Sequence, residues 1–311
     1  MTFLRPSPAP PIVKSYPVAP QSRFNVWVNA EAASDPALAP LAATDISAVV
    51  RSANGVPIVA ERAMYLHTAG VPFNAGHESA GATQLSPTWF FAEGATGAFF
   101  DLFLLIGNPT DQDAIVQATY LLPDGSTIEK QYLVAARSRF NIWVDLEDTR
   151  LADTAVSTTL TSLNGVQVVA ERAMWWPGPA YAPHWYEAHN SPGATATGTL
   201  WALAEGESGG PRGVETYVLI ANTSSTAGEA RVTVLFEDGT TTAQTFPLLP
   251  SSRFNVAMSA MFPTTAERRY GVIVESIGGT PAQIVVERAM YANAAGAVWA
   301  AGTNALATRL H

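Results

Sequence analysis

Apolar and polar positions along this chain alternate in short runs and do not recur at helical spacing. Between Trp89 and Met174 seven runs follow one another: Trp89–Ala92, Phe99–Ile106, Ala114–Leu122, Thr127–Val134, Phe140–Val144, Ala155–Leu163 and Val166–Trp176. β-branched and aromatic residues dominate them, the types that fit a pleated, half-buried surface. Turn signals separate most runs, at Asn108-Pro109, Pro123-Asp124-Gly125 and Asn164-Gly165. Asn-Gly is the strongest short hairpin signal, because both residues tolerate the positive φ of a type I′ turn. Helical periodicity is confined to weak stretches near Ala30–Ala43 and Val256–Phe262. Seven short strands in about 100 residues predict a two-sheet, immunoglobulin-like sandwich.

The pattern repeats. Ser22-Arg23-Phe24-Asn25 recurs at Ser138-Arg139-Phe140-Asn141 and at Ser252-Arg253-Phe254-Asn255. Glu61-Arg62-Ala63-Met64 recurs at Glu171-Arg172-Ala173-Met174 and Glu287-Arg288-Ala289-Met290. Trp89-Phe90-Phe91-Ala92-Glu93-Gly94 recurs at Trp201-Ala202-Leu203-Ala204-Glu205-Gly206. The spacing, about 115 residues, is too long for a solenoid or a propeller blade and matches a whole domain. The expected fold class is therefore all-β, a tandem array of immunoglobulin-like β-sandwich repeats. Residues 1–85 read as a partial repeat with the last four strands, 86–195 as a complete one and 196–297 as a nearly complete one. Residues 298–311 read as the opening strand of a further repeat, from Trp299-Ala300-Ala301-Gly302. A partial sandwich should leave Val26, Val28, Ile58 and Met64 on a wet sheet face.

Composition narrows the function. Charged residues make up 14% of the chain, the net charge is −9, and lysine occurs at Lys14 and Lys130 alone. With no basic patch in view, nucleic acid and anionic lipid are not expected partners. There is no cysteine, hence no disulfide, thiolate metal site or cysteine nucleophile. No apolar run approaches the ~18 residues of a membrane helix. The Pro-rich first residues lack the apolar core of a signal peptide.

Together these marks resemble a repeat carried in tandem by large secreted or surface proteins of bacteria, a family with no assigned activity. His77-x-Ser79-x-Gly81-Ala82 and His189-x-Ser191-x-Gly193-Ala194 belong to the same likeness, which covers nearly everything after residue 10. It departs from its own pattern at Asn222-Thr223, in place of Asn-Pro, and before Trp299, where the His-Ser-Gly-Ala segment is absent. The resemblance implies an extracellular or cell-surface location, with other copies of the repeat or surface components as partners.

Two groups of residues are candidates for chemistry. The recurring charges Arg23, Glu61, Arg62, Glu93, Arg139, Glu171, Arg172, Glu205, Arg253, Glu287 and Arg288 read as a half-buried ion-pair clamp. Adjacent Glu and Arg on a strand must face opposite sides. The competing reading makes Glu93 and Glu171 the carboxylate pair of a glycosidase. A site that recurs in every copy favours the clamp. The second group, Trp175, Trp176, Tyr181, Trp185 and Tyr186, lies in a Pro/Gly-rich loop suited to stacking on sugar rings or packing between domains. His184, Glu187 and His189 lack the spacing of a metal site, and no cofactor is expected. The reading is a non-enzymatic structural or adhesion repeat protein, with a carbohydrate-binding module as the alternative and a glycosidase more distant. Pairing of the Trp299 strand with an open sheet edge in a second molecule would give head-to-tail self-association.

Overall fold

The computed structural model describes residues 1–68, 71–178, 180–181, 185–294 and 296–311, without the side chains of 66–74. The fold is all-β. Its strands are β1 (Thr2–Leu4), β2 (Ile12–Val13), β3 (Ser47–Val49), β4 (Glu61–Thr68), β5 (Val71–Ala80), β6 (Thr88–Phe91), β7 (Asp101–Asn108) and β8 (Ala114–Leu121). Then come β9 (Thr127–Val134), β10 (Ser138–Trp143), β11 (Ser157–Ser162), β12 (Val169–Trp176), β13 (Glu187–Pro192), β14 (Leu200–Ser208) and β15 (Glu215–Asn222). The last are β16 (Gly228–Phe236), β17 (Thr241–Leu248), β18 (Ser252–Ala257), β19 (Arg268–Ile277), β20 (Ile284–Ala294), β21 (Ala297–Leu306) and β22 (Thr308–Arg309). Helix α1 (Val28–Ser34) overlaps the first stretch of weak helical periodicity and α2 (Met258–Met261) lies within the second.

All seven runs predicted between Trp89 and Met174 are strands, β6 to β12. They form two antiparallel sheets, β10-β7-β12-β13 and β6-β11-β8-β9. Alternation sends Leu102, Leu104 and Ile106 of β7 inward against Val116, Ala118 and Tyr120 of β8. Trp89 fastens one sheet to the other, its indole N–H donating to the Val168 carbonyl at 3.0 Å. Residues 200–309 repeat the order as β18-β15-β20-β21 and β17-β16-β19-β14-β22, and Trp201 donates to the Ile284 carbonyl at 3.1 Å. The Asn164-Gly165 turn forms with Gly165 at φ 75°, a conformation open to glycine without strain.

Three expectations need correction. First, each of the two fuller units has an eighth strand, β13 or β21, which the polar segment Glu187–Pro192 did not announce. Second, Trp299 does not open a new unit. It lies in β21, which pairs along β20 with Met290 opposite Thr303, as β13 pairs along β12 with Met174 opposite His189. Trp299 thus matches Trp185, and both have φ 52°. Third, the N-terminal unit does not consist of its last four strands alone. β1 sits between β2 and β3 as β8 sits between β9 and β11, whereas Ser22–Trp27, expected to match β10, forms no strand. In the second unit β7 lies between β10 and β12. Among the described residues the first unit has no counterpart of β6 or β7. Phe24, Trp27, Val56, Ile58 and Met64 are accordingly exposed. Val26 and Val28, expected on the wet face, instead pack beside the small core of Phe3, Ala32, Leu38 and Leu41.

The loss of proline at Asn222-Thr223 does not degrade the turn. Buried Asn108 donates to the carbonyls of Gln112, at 2.8 Å, and Val134, at 3.0 Å, and its side-chain oxygen accepts from Thr110 N–H. Asn222 does the same with Thr226, Leu249 and Ser224. The amide is the working group. Asn222→Ala should cost about 2–3 kcal/mol by stranding buried carbonyls. Pro109→Thr should cost under about 1 kcal/mol, an ordinary surface effect. Denaturant melts of the two variants check the contrast.

Candidate functional site

Strand alternation divides the Glu-Arg pairs. On β12 the Arg172 side chain lies on the inner face with Ala170 and Met174, so Glu171 lies on the outer face with Trp175. The two residues serve different neighbours. Glu171 Oε2 pairs with Arg62 Nη2 of the first unit at 2.8 Å. Arg172 Nη2 pairs with Glu287 Oε2 of the third unit at 2.9 Å and with Glu93 Oε2 of its own unit at 2.6 Å. The charges that recur in sequence therefore meet at the joints between units.

The second joint is closed. Arg253 Nη1 lies 3.1 Å from the Ala92 carbonyl oxygen, 2.6 Å from that of Gly94 and 2.7 Å from that of Val156. A Cβ on Gly94 would come within 2.6 Å of the Val156 oxygen, so only glycine lets these carbonyls converge on one guanidinium. Ala92 N–H donates to Glu287 Oε1 at 2.8 Å, and Tyr291 O–H donates to Glu93 Oε1 at 3.3 Å. Glu93, Arg172, Arg253 and Glu287 are all buried, two charges of each sign. Burial pushes both carboxyls up, and Arg172 opposes the push. Burial also lowers the Arg253 guanidinium to about 10. His189 completes the group. Its Nδ1 lies 3.5 Å from Arg172 Nη1, which only donates, so the ring proton sits on Nε2, toward Tyr291. Burial, then the charge on Arg172, holds His189 well below the ordinary histidine range and neutral.

The first joint uses the same positions with fewer partners. Arg139 N–H donates to the Arg5 carbonyl at 3.1 Å, as Arg253 N–H does to Leu122 at 3.3 Å. With no counterpart of the Ala92–Gly94 carbonyls among the described residues, Arg139 pairs with Asp45 at 3.2 Å. Arg23 and Glu61, expected in the clamp, are exposed in the first unit. At the other end Arg288 pairs with Glu205 at 2.6 Å, and that carboxylate is solvent-facing. Glu93 and Glu171 belong to different joints, which separates the carboxylates proposed as a glycosidase pair.

The aromatic loop divides as well. Trp176 is fully buried in the second joint, donating to the Trp299 carbonyl at 2.7 Å and meeting Tyr291 edge-on at 5.6 Å. Trp175 and Trp185 belong to a half-exposed cluster with Phe103 and Trp143 on the outer face of β7, β10 and β12. Asp101 accepts from the indoles of Trp143, at 3.0 Å, and Trp185, at 2.6 Å. Tyr181 stacks edge-on against Phe99, and Tyr186 is half-buried. His184 lies outside the described residues. Sequence reasoning missed Phe103, Trp143 and Asp101, whose only signal was their odd-numbered, outward register on β7 and β10. Among the described residues no three His, Asp or Glu side chains gather as a metal site.

No family model matches the chain, and no curated protein sequence matches it. Among solved structures it is similar to that of Thermotoga maritima 1070, with 17% sequence identity and a TM-score of 0.32. The alignment covers 36% of this chain and 95% of that one.

Two predictions follow from the joints. Arg253→Ala should cost about 3–5 kcal/mol, the range for breaking a buried charge network. Arg139→Ala, whose partner Asp45 is exposed, should cost about 1–2 kcal/mol. Calorimetry of the full chain ranks the two. His189 binds fewer protons folded than unfolded, so its share of stability is present above about pH 6.5 and is lost as the pH falls. Asp145 and Glu187, which burial raises to about 6 and about 7, run the opposite way: their share is present in acid and lost as the pH rises. Comparing His189→Gln with the parent isolates the histidine. The parent's loss relative to the variant should steepen from about 0.7 kcal/mol per pH unit at pH 6.5 to about 1.3 near pH 5.

Proposed function

We propose that this chain is a non-enzymatic connector, an extracellular or cell-surface array of immunoglobulin-like sandwich repeats that holds a fixed spacing between whatever lies at its two ends. The observation that carries this reading is the placement of the recurring charges. Arg62 with Glu171 and Arg172 with Glu287 spend recurring charges on the contact between one unit and the next, and the second joint is filled by protein groups. A fully packed, charge-neutral joint resists bending because opening it strands Arg172 and Arg253 beside bare carbonyls. The likeness to tandem repeats of bacterial surface proteins supports the location and the structural or adhesive task.

A carbohydrate-binding role is the second reading, supported by the half-exposed rings of Trp143, Trp175 and Trp185. Rings held by a carboxylate and facing solvent suit stacking on sugars.

A double-mutant cycle of Arg172→Ala and Glu287→Ala should return a coupling of at least about 1.5 kcal/mol across the joint. Small-angle scattering of Arg253→Ala should show a wider distribution of end-to-end distances than the parent. Unchanged scattering together with zero coupling would remove the connector reading. Binding on a glycan array that disappears in Trp185→Ala and Trp143→Ala would put the carbohydrate reading in its place.

A further inference from the structure

The filled second joint holds a histidine whose second ring nitrogen faces a donor. His189 is 3% exposed, and its ring lies between Trp176 of its own unit, 5.2 Å away, and Tyr291 of the third unit, 6.1 Å away. Nε2 lies 3.5 Å from the Tyr291 hydroxyl oxygen and 3.6 Å from Glu93 Oε1, whereas Nδ1 faces Arg172 Nη1 at 3.5 Å. Every element packed on the ring but one brings charged or titratable groups. β12 brings Arg172, and the segment after β6 brings Glu93. From the third unit, β20 brings Tyr291 and Arg288, with Glu287 held on Arg172, and Arg253 of β18 stands beside Glu93 and Glu287. β5 brings His77 and the exposed Glu78, and β13 itself carries Glu187 two residues away. β21 has no titratable side chain.

A second proton on this ring makes Nδ1 a donor, aimed at a guanidinium that also only donates. Glu93, Arg172, Arg253 and Glu287 already balance, so the new charge is in excess and buried. Arg172 has no slack inside the closed joint, because one nitrogen, Nη2, serves both Glu93 at 2.6 Å and Glu287 at 2.9 Å. Fully buried Trp176 blocks the ring from behind. The wall that can retreat while both sandwiches stay intact is the one made by Tyr291 and Glu287 of the third unit. We infer that the second joint is an acid-sensitive latch, in which protonation of His189 parts the third unit from the second while each sandwich stays folded. The sign follows from burial. Held neutral in the closed joint and returned to the ordinary histidine range in the open one, His189 favours closure above about pH 6.5, and that share is lost as the pH falls. Glu93, Glu287 and Glu187 pull the other way, because burial raises them and their proton uptake favours the closed form. Their opposition is why the latch is read as the parent against a chain without the histidine.

Hydrogen exchange of the full chain reads the latch directly. Ala92 N–H donates to Glu287 Oε1 across the joint at 2.8 Å, so its exchange reports opening there. Corrected for the intrinsic exchange rate, its opening constant should rise in the parent from pH 7.5 to 5. The ratio of parent to His189→Gln should climb about 30-fold over that range, the effect of freeing one histidine of ordinary range 6.5. The amides of Val116 and Val232, buried on β8 and β16, should keep smaller opening constants throughout, which separates a parted joint from an unfolded sandwich. His77→Gln should retain the rise, because His77 bonds Asn190 on the side of the first unit. Where His189→Gln does not fold, His189→Asn takes its place, and the parent profile is decisive by itself. A parent constant that stays flat or falls in acid overturns the latch. An equal rise in the His189 variant, or an Ala92 constant no larger than those of Val116 and Val232, overturns it as well. The inference rests on reading the joint as a structural connector, and the two fail separately. A flat parent profile beside a positive Arg172–Glu287 cycle removes the latch and leaves the connector, whereas a cycle that returns zero removes both.

Discussion

The buried guanidinium of Arg253 is the constraint on which the second joint depends. An uncompensated ion in a protein interior costs several kcal/mol, and attraction offsets that cost only when charge and hydrogen bonds are both satisfied. Here the satisfying groups come from two units. Three carbonyls belong to the second unit, and Glu287, beside them, belongs to the third. Neither unit alone can bury its half without stranding polar atoms. Docking is therefore all-or-none in geometry, and apolar residues follow the charges in. Ala92, Leu121, Trp176 and Ala194 of the second unit are continuous with the core of the third.

The period-two geometry of a strand turns this into a rule of propagation. Because Glu and Arg are adjacent, one must face the preceding unit and the other its own interior and the following unit. A pair on the same face, two residues apart, would neutralise itself and join nothing. Glu171 toward Arg62 and Arg172 toward Glu287 show the two directions in one strand. The direction of each of these two contacts is thus written into a dipeptide.

How far the sequence revealed this depends on which signals are local. Strands β6 to β12 were legible because alternation and turn residues are properties of neighbouring positions. The strand Glu187–Pro192 was not, since its burial comes from β5 and β21 of the adjoining units, which pack against it. Trp299 misled for a related reason. Its flanking Ala-Ala-Gly imitates the opening motif, and only the pairing with β20 shows that it answers to Trp185. Recurrence singled out Glu93, Arg172, Arg253 and Glu287, but it gave equal weight to Arg23 and Glu61, which are exposed, and it did not show that Arg172 and Glu287 act between units. Recurrence records that a position is constrained, and it does not say on which side of a boundary the partner stands.

The half-exposed aromatic cluster of the second unit has its explanation in the same geometry. Phe103, Trp175 and Trp185 stand where Tyr217, Tyr291 and Trp299 stand in the third unit. There, Phe99, Phe100 and Trp176 of the preceding unit cover them, with Phe100 stacked on Trp299 at 5.7 Å. Phe99 and Phe100 lie between β6 and β7, the segment for which the first unit has no counterpart among the described residues. The rings of the second unit therefore face solvent where those of the third face protein. Their exposure needs no ligand to account for it. A docking face that its neighbour half-covers has the same look as a sugar-stacking platform, and the equivalence with the covered face of the third unit is what tells them apart.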